Sequence, residues 1–359
     1  MASPGLEAAV LRELSGLVAG PVDAEPGGVR FEASVEQGAL LSACTRTAGR
    51  VLLVLDEGPA PSLDALAARV RRVDWKPFLV PGAPVEVHVA AHASHMRFRG
   101  PAEKKVGLAI EDALRGPRLP RDSRAPLQTQ RVQVRLDENI ATISLDAGGE
   151  LLHVRGWRTE TGRAPIRENL AATLLYIAGW SGDEPLLDPF CGVGTIPIEA
   201  ALLAAGRPPW TRRRFAWEDW PGLRGLRLPD PRRALPGAAL VPSQIFGADK
   251  EEEALVRAES NARHAGVRVS WQQCDVAQLR PPCEAGLLIA NPPYGHRLGS
   301  NVGGVYSAFG RSLREGFAGW RALFLAPSVE LARRVHRDVE PITSFSNGGL
   351  RVSVFGLVL

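Results

Sequence analysis

A short apolar strand runs directly into a glycine turn at residues 186–195, where the sequence reads Leu-Leu-Asp-Pro-Phe-Cys-Gly-Val-Gly-Thr. The two glycines, Gly192 and Gly194, allow the backbone to approach a ligand closely, and a helical pattern follows from Ile196 to Ala205. The third glycine of a dinucleotide-binding turn is replaced by Pro197, a residue that suits the first turn of a helix. We therefore predict a ligand site at the end of a strand in an α/β sheet.

Three carboxylates occupy the ends of successive predicted strands. Asp188 precedes the glycines, where it would favour a cationic ligand such as a sulfonium with its amino group. Asp249 can accept both hydroxyl hydrogens of a ribose, and the insertion at 206–244 explains why it lies farther from the glycines than the usual spacing of about 20 residues. Asp275 can bind an adenine amino group. Each residue alone could equally be a helix cap or a solvated charge, but their order favours ligand contact.

The segment 288–295, Leu-Ile-Ala-Asn-Pro-Pro-Tyr-Gly, favours chemistry on an aromatic amine. Such an amine is a poor nucleophile because its lone pair is delocalised into the ring. The Asn291 side-chain oxygen and the Pro292 carbonyl can hold both N–H bonds and direct the lone pair at an electrophilic methyl group. Pro292 and Pro293 make the backbone rigid, and Tyr294 can stack on the base. The alternative is a proline-rich turn, but a position at the carboxyl end of a strand favours catalysis.

Length and composition describe an ordinary globular chain. Its 359 residues predict two domains, with 45% hydrophobic and 23% charged residues. A net charge of +4 favours a polyanionic partner only weakly. No apolar run approaches the roughly 18 residues of a membrane span, and the start at Met1 lacks a signal-peptide pattern. We therefore expect a cytoplasmic protein without membrane contact.

The cysteines carry neither a metal-binding nor a disulfide pattern. The four residues include no Cys-x-x-Cys pair and no histidine at metal-ligand spacing. A disulfide framework is not expected in a chain of this length. We predict free thiols and no bound metal.

Periodicity divides the chain into two parts. Residues 1–155 mix short strands and helices, which predicts a small α+β module, including a hairpin that pairs 141–145 with 151–154. From about residue 165, strands and helices alternate regularly and end in a hairpin, which predicts a doubly wound sheet. The insertion at 206–244 is rich in Pro, Arg and Trp. It can be a single-stranded RNA contact or a loop held in place by its tryptophans.

Residues 188–195 together with 291–295 resemble the class I methyltransferases that modify exocyclic amines. The segment that runs from 152–158 through 164–171 is similar to the junction in THUMP-containing RNA methyltransferases, specifically the bacterial large-subunit ribosomal RNA guanine-N2 methyltransferases. Within the N-terminal module, residues 96–107 look like the THUMP segment that faces RNA. The resemblance extends over nearly the whole chain.

The resemblance implies a fold, a cofactor and a set of site residues. The fold would be α/β, with a ferredoxin-like and THUMP module at 1–155 and a Rossmann-like class I methyltransferase domain at 156–359, built on a doubly wound, mostly parallel seven-stranded sheet. S-adenosylmethionine would be the cofactor, and segment 164–170 would help to close its site. The implied cofactor-binding residues are Asp188, Pro189, Cys191, Gly192, Gly194, Thr195, Asp249, Asp275 and Asn291. The implied catalytic residues are Asn291, Pro292, Pro293 and Tyr294, and the implied RNA-binding residues are Arg97, Arg99, Lys104 and Lys105.

Three functional hypotheses follow from these residues. The first is methyl transfer to the N2 amine of a guanine, with ribosomal RNA favoured over transfer RNA. The second keeps the chemistry but changes the target to a tRNA guanine or adenine, a DNA adenine or a protein glutamine. The third is an RNA-binding or assembly factor without activity. Some ribosomal enzymes carry a second methyltransferase behind this unit, whereas this sequence stops at Leu359, so we expect one modification.

Overall fold

The computed structural model describes residues 1–92, 99–115, 127–162, 165–211, 213–225, 230, 244–294 and 301–359. A small antiparallel pair of strands lies beside the first helix at the N-terminus. The second helix that follows begins with a capping box between Ser34 and Gln37, which satisfies backbone donors at the helix start. These first elements are α1 (Glu7–Leu14), β1 (Val22–Glu25), β2 (Gly28–Phe31) and α2 (Val35–Cys44).

A four-stranded sheet with two helices completes the N-terminal module. Its strand order is β3-β6-β5-β4, and apolar side chains of α3 and α4 share one core with the sheet. Ser62 caps α3 by accepting a hydrogen bond from the Ala65 amide. The elements are β3 (Leu52–Pro59), α3 (Leu63–Arg72), β4 (Val85–His92), α4 (Arg99–Ala113), β5 (Gln130–Asp137) and β6 (Ile140–Asp146).

The predicted pairing of 141–145 with 151–154 is wrong. Strand β6 pairs with β5 and β3 instead, and its hairpin with β5 turns at Glu138 and Asn139, which both have positive φ. Behind β6, the Asp146 carboxylate accepts hydrogen bonds from the amides of Gly148 and Gly149. The chain bends around this carboxylate, so the two glycines form no hairpin turn.

The second half of the chain forms a seven-stranded sheet of order β12-β13-β11-β10-β7-β8-β9. Every neighbouring pair from β11 to β9 is parallel, whereas β13 is antiparallel to both β11 and β12. The predicted doubly wound sheet with a terminal hairpin is therefore confirmed. Its elements are α5 (Glu168–Ala178), β7 (Leu186–Asp188), α6 (Thr195–Ala204), β8 (Ile245–Asp249), α7 (Glu252–Ala265), β9 (Ser270–Gln273), β10 (Leu287–Ala290), α8 (Val302–Gly316), β11 (Arg321–Ala326), α9 (Val329–Val335), β12 (Pro341–Asn347) and β13 (Leu350–Val358).

Strand order places the ligand site. From β7 the chain continues through β8 and β9 on one side of the sheet, then returns to β10 on the other side. This reversal leaves a crevice beyond the carboxyl ends of β7, β8 and β10, which is where open α/β sheets bind ligands.

A buried ion cluster joins the N-terminal module to the second domain. Glu199 on α6 is fully buried and lies 3.3 Å from Arg155 and 3.9 Å from Arg46. The Arg46 guanidinium also donates to the carbonyls of Leu202 and Arg207. Two arginines from the first 155 residues thus form ion pairs with one carboxylate of the second domain.

The described part of the 206–244 insertion packs on the N-terminal module. The indole N–H groups of Trp210, Trp217 and Trp220 donate to the Ala43 carbonyl, the Ser42 hydroxyl and the Gln130 side chain, respectively. This finding favours the loop held in place by its tryptophans, because these rings are engaged with the protein itself.

Predicted absences can be compared with the described part of the chain. There, no helix is long and apolar enough to cross a membrane, and no group of His, Cys, Asp and Glu side chains could hold a metal ion. The four cysteines are free thiols, and Cys44 and Cys191 are buried.

Candidate functional site

A cavity of about 510 Å³ opens at the carboxyl ends of β7, β8 and β10. The glycine turn, the two downstream carboxylates and the start of the Asn-Pro-Pro-Tyr segment all reach its wall. The sequence-predicted residues that line it are Asp188, Pro189, Cys191, Gly192, Thr195, Asp249, Asp275, Asn291 and Pro293. The structure therefore brings together residues that are up to about 100 positions apart.

The two glycines of the turn have different roles. Gly192 lines the cavity at φ +53°, and its amide donates a 2.9 Å hydrogen bond to the Asp249 carboxylate. Gly194, at φ +85°, caps α6, and a Cβ added there would lie 2.8 Å from the Trp271 ring. Gly194 is not among the residues that line the cavity, and its missing side chain makes room for Trp271, so its contact with the cofactor stays a prediction.

Among the described residues, five acidic and two basic side chains line the cavity, and two of the carboxylates, those of Asp188 and Asp249, accept hydrogen bonds from the glycine turn. Asp188 is fully buried, and its carboxylate accepts a hydrogen bond from the Phe190 amide. Burial raises the pKa of Asp188 well above its ordinary value, and the negative charge of Asp249 raises it further. Asp249 accepts hydrogen bonds from the amides of Gly192 and Glu251, which aim its carboxylate at the rim of the cavity. A ligand with positive charge would relieve the repulsion between the two side chains.

Asp275 combines the two roles that the sequence left open. Its carboxylate accepts a 2.8 Å hydrogen bond from the Ala277 amide and caps the short 3₁₀ helix Val276–Gln278. The same residue lines the cavity next to Cys274 and Val276. A capping carboxylate keeps lone pairs for a further donor, such as an amino group.

Asn291 follows β10 directly and lines the cavity. Its side-chain oxygen Oδ1 is buried, and it has no hydrogen-bond partner among the described residues. A buried acceptor without a partner costs free energy, typically about 1–3 kcal/mol. Such an atom at a cavity wall is suited to accept an N–H group from a ligand.

The remaining residues of this motif differ in position. Pro293 lines the cavity, whereas Pro292 is buried and does not. The predicted stacking of Tyr294 on a base is wrong for this conformation, because the ring lies fully buried in the hydrophobic core. Its hydroxyl accepts a 2.6 Å hydrogen bond from the Asn347 side chain. Burial and this bond hold the ring away from the cavity.

The predicted RNA-binding residues lie partly outside the described chain. Arg97 belongs to the residues that are not described. Arg99 donates to the Val89 carbonyl and forms an ion pair with Glu103 at 3.4 Å, and Lys105 forms one with Asp64 at 2.9 Å. Lys104 is exposed on the same helix, α4.

Sequence reasoning missed part of the cavity wall. The start of α8 and the residues after β8 and in α7 also contribute to it. The helix α8 begins after Asn301 at its N-cap, but an N-cap asparagine is common at helix starts and does not by itself mark a binding element. The missed lining residues include Phe190, Lys250, Glu251, Arg257, Asn301, Gly304 and Val305.

Two family models match the chain. The model for the RMKL-like methyltransferase domain matches residues 155–347, and the model for the RlmL ferredoxin-like domain matches residues 1–52. The first match alone covers more than half of the 359 residues. The chain belongs to the RMKL-like methyltransferase family. The expected Rossmann-like methyltransferase fold and the ferredoxin-like N-terminus are therefore confirmed, whereas the domain boundary at 155 stays a prediction.

Curated relatives agree with this family. The chain is 36% identical over 373 aligned positions to the ribosomal RNA large subunit methyltransferase K/L of Methylococcus capsulatus, a match that covers 99% of the chain and 50% of the relative. It is 35% identical to the protein of the same name from Chromohalobacter salexigens, with coverage of 96% and 50%. The chain thus spans about half the length of the curated relatives it matches.

A solved structure shares the architecture over almost the full chain. SMU.472, a putative methyltransferase crystallised with S-adenosylhomocysteine, superimposes with a TM-score of 0.87 at 27% sequence identity. The match covers 99% of this chain and 96% of SMU.472. The N-terminal module and the methyltransferase domain of this chain therefore share their fold with SMU.472.

Proposed function

We propose that the protein transfers a methyl group from S-adenosylmethionine to the exocyclic N2 amine of a guanine in 23S ribosomal RNA. The observation that carries this proposal is the buried and unpartnered Asn291 Oδ1 at the wall of the cavity. An acceptor in this position fits a base amino group, which donates two N–H bonds. Family membership supports the reaction class, and the names of the curated relatives support ribosomal RNA.

The cavity residues fit the proposed cofactor. S-adenosylmethionine would supply the electrophilic methyl group. Asp249 offers negative charge to a ligand that carries a sulfonium and an ammonium group, and such a ligand would favour the ionised form of Asp188, whose pKa burial raises; Gly192 leaves room beside them. Asp249 would accept the ribose hydroxyls, and Asp275 the adenine amino group. The bound S-adenosylhomocysteine of SMU.472 supports this choice of ligand.

The protein would act on the base mainly by orienting it. Asn291 Oδ1 and the Pro292 carbonyl would accept the two N–H bonds of the amine and turn its lone pair towards the methyl carbon. The nitrogen forms a bond to the methyl carbon while the carbon–sulfur bond breaks. The electron pair of the broken bond stays on sulfur. The cationic nitrogen then loses a proton to water. A strong general base is not required, since the proton leaves after the new bond has formed.

The choice of RNA rests on the N-terminal half and on the relatives. The chain carries α3, α4 and a four-stranded sheet in front of the methyltransferase domain, which fits the THUMP module that the resemblance implies. Arg97, Arg99, Lys104 and Lys105 would contact phosphates, as lysine and arginine side chains commonly do in protein–RNA complexes. The Asn-Pro-Pro-Tyr segment fits the amines of other substrates equally well. The choice of RNA as the substrate therefore rests on the N-terminal module and not on this segment.

Nucleoside analysis tests the proposal. The full chain is incubated with S-adenosylmethionine labelled in the methyl group and with unmodified 23S ribosomal RNA, transfer RNA or duplex DNA, and the digested products are separated. We expect label in N2-methylguanosine from ribosomal RNA. Label in another nucleoside would overturn the guanine-N2 assignment, and binding of RNA without cofactor binding or transfer would support a non-catalytic RNA-binding protein.

A further inference from the structure

A connector leads from the N-terminal module to α5 and forms one wall of the cavity. We define it as the described residues 156–162 and 165–168. Gly162, Pro165 and Ile166 of the connector line the cavity. The connector has no regular secondary structure before Glu168, so side chains from elsewhere must fix its path.

Arg158 ties the two ends of the connector to the glycine turn. Its Nη2 donates 2.9 Å hydrogen bonds to the Ile166 carbonyl and to the Thr195 hydroxyl. Its Nε lies 3.2 Å from the Glu168 carboxylate, and both side chains are largely buried. One guanidinium therefore joins the end of the connector to the first residue of α6.

Asn261 ties the middle of the connector to the same turn. Its Oδ1 accepts hydrogen bonds from the amides of Thr159 and Glu160, both at 3.0 Å. Its Nδ2 donates to the carbonyls of Glu160 and Val193 at 3.1 and 3.2 Å. Asn261 is fully buried on α7, so all the hydrogen-bonding groups of its side chain serve this junction.

Close packing leaves no gap between the connector and the turn. A Cβ added at Gly162 would lie 2.8 Å from Val193 Cγ1, which is closer than real Cβ contacts come. Gly162 does not have a positive φ, so its backbone conformation does not require glycine. The missing side chain instead allows the close approach to Val193.

We infer that Arg158 and Asn261 are positioning residues that hold the connector against the glycine turn and so shape the end of the cavity that receives the methionine part of the cofactor. The inference rests on the proposed function for the identity of the cofactor. The connector meets the turn at Val193 and Thr195, which follow Asp188 closely in the sequence, whereas the proposed function assigns Asp249 and Asp275 to the nucleoside end. Buried ion pairs stabilise folds poorly because desolvation offsets their attraction, which fits a role of Arg158 in geometry.

The position of the connector predicts which ligands lose affinity. Calorimetry would compare S-adenosylmethionine with 5′-methylthioadenosine, which lacks the amino acid part, on the wild type and on Arg158→Gln. We expect Arg158→Gln to weaken S-adenosylmethionine about tenfold and 5′-methylthioadenosine less than about twofold. Arg268→Gln is the control, since Arg268 is exposed, lies outside the connector and does not line the cavity; it should bind both ligands like the wild type.

A second variant keeps the test valid if Arg158→Gln does not fold. Gly162→Ala changes no charge and no hydrogen bond, and its methyl group would push the connector away from Val193. We expect it to raise the KM for S-adenosylmethionine several-fold, with the KM for RNA unchanged. Equal losses for both ligands, or a Gly162→Ala variant with unchanged KM, would overturn the inference. Failure of the wild type to bind S-adenosylmethionine would instead overturn the proposed function.

Discussion

The Asn347 side-chain amide donates a 2.6 Å hydrogen bond to the hydroxyl of Tyr294, and both residues are buried. Asn347 ends β12, at the turn of the terminal hairpin, whereas Tyr294 closes the Asn-Pro-Pro-Tyr segment. The hairpin thus anchors the segment whose first residue faces the cavity. Tyr294 supports the site from the core in this conformation.

This bond predicts coupled stabilities. Removing the hydroxyl in Tyr294→Phe leaves a buried amide donor without its partner, and Asn347→Ala removes that donor, so each change should cost about 1–2 kcal/mol of unfolding free energy. The double variant should cost about 1 kcal/mol less than the sum of the two. Urea unfolding of the four proteins measures the difference. Tyr306→Phe is the control, because its hydroxyl bonds to the Leu325 carbonyl, and its cost should add to that of Asn347→Ala.

Asp188 predicts a conflict between stability and ligand binding. Because burial raises the pKa of Asp188, the folded protein binds that proton more tightly than the unfolded chain does. Its contribution to stability is present below the unfolded-state pKa of about 3.9 and is lost as the pH rises through the folded-state pKa. Asp188→Asn should therefore stabilise the ligand-free protein at pH 7, and the gain should shrink towards pH 4.

The same variant should bind S-adenosylmethionine more weakly, because the neutral amide no longer attracts a cationic ligand. Thermal unfolding at pH 4 and pH 7, with and without the cofactor, measures both effects. A variant that is less stable at pH 7 and binds the cofactor as the wild type does would show that Asp188 has a purely structural role.

The Glu199 cluster predicts a large cost for one buried change. Glu199→Ala would leave Arg46 and Arg155 buried without their shared carboxylate, which should cost about 3–5 kcal/mol of unfolding free energy. Glu340→Ala removes an exposed partner of Arg333 and should cost at most about 1 kcal/mol. Chemical unfolding compares the two. Similar small losses in both variants would mean that the buried cluster does not hold the domains together.

The N-terminal cations predict how RNA binding depends on salt. If Lys104 and Lys105 each neutralise a phosphate, Lys104→Gln and Lys105→Gln should each weaken RNA binding and lower the slope of log affinity against log salt by about 1. Lys76→Gln offers a control at an exposed lysine outside α4. Binding curves at several salt concentrations measure the slopes. Unchanged slopes in both α4 variants would remove these lysines from the RNA surface.

The fold and most of the cavity wall follow from local sequence signals. The glycine turn, Asp249, Asp275 and Asn291 each follow a recognisable strand, and parallel strands bring their carboxyl ends to one rim. The surroundings of two motif residues depend on long-range packing and do not follow from local sequence signals. The glycine at 194 serves the distant Trp271 ring, and Tyr294 turns towards Asn347, which lies 53 residues later.

The junction residues show the same limit. Arg158 and Asn261 are separated by about 100 positions, and no local pattern marks either of them as a residue that holds the connector against the glycine turn. The glycines at 148 and 149 mimic a hairpin signal, but the Asp146 carboxylate uses their amides instead. Contacts of this kind become visible only in three dimensions.

Single-turnover methyl transfer by Asn291→Ala tests the central claim most directly, with Asn291→Asp as the matched variant that keeps an acceptor oxygen. The rate of transfer to ribosomal RNA should fall about 10²–10³-fold in Asn291→Ala and less in Asn291→Asp, because the amine loses the acceptor that orients it. Calorimetry with the cofactor confirms that the variants stay folded. A folded Asn291→Ala protein that transfers the methyl group at the wild-type rate would contradict the account.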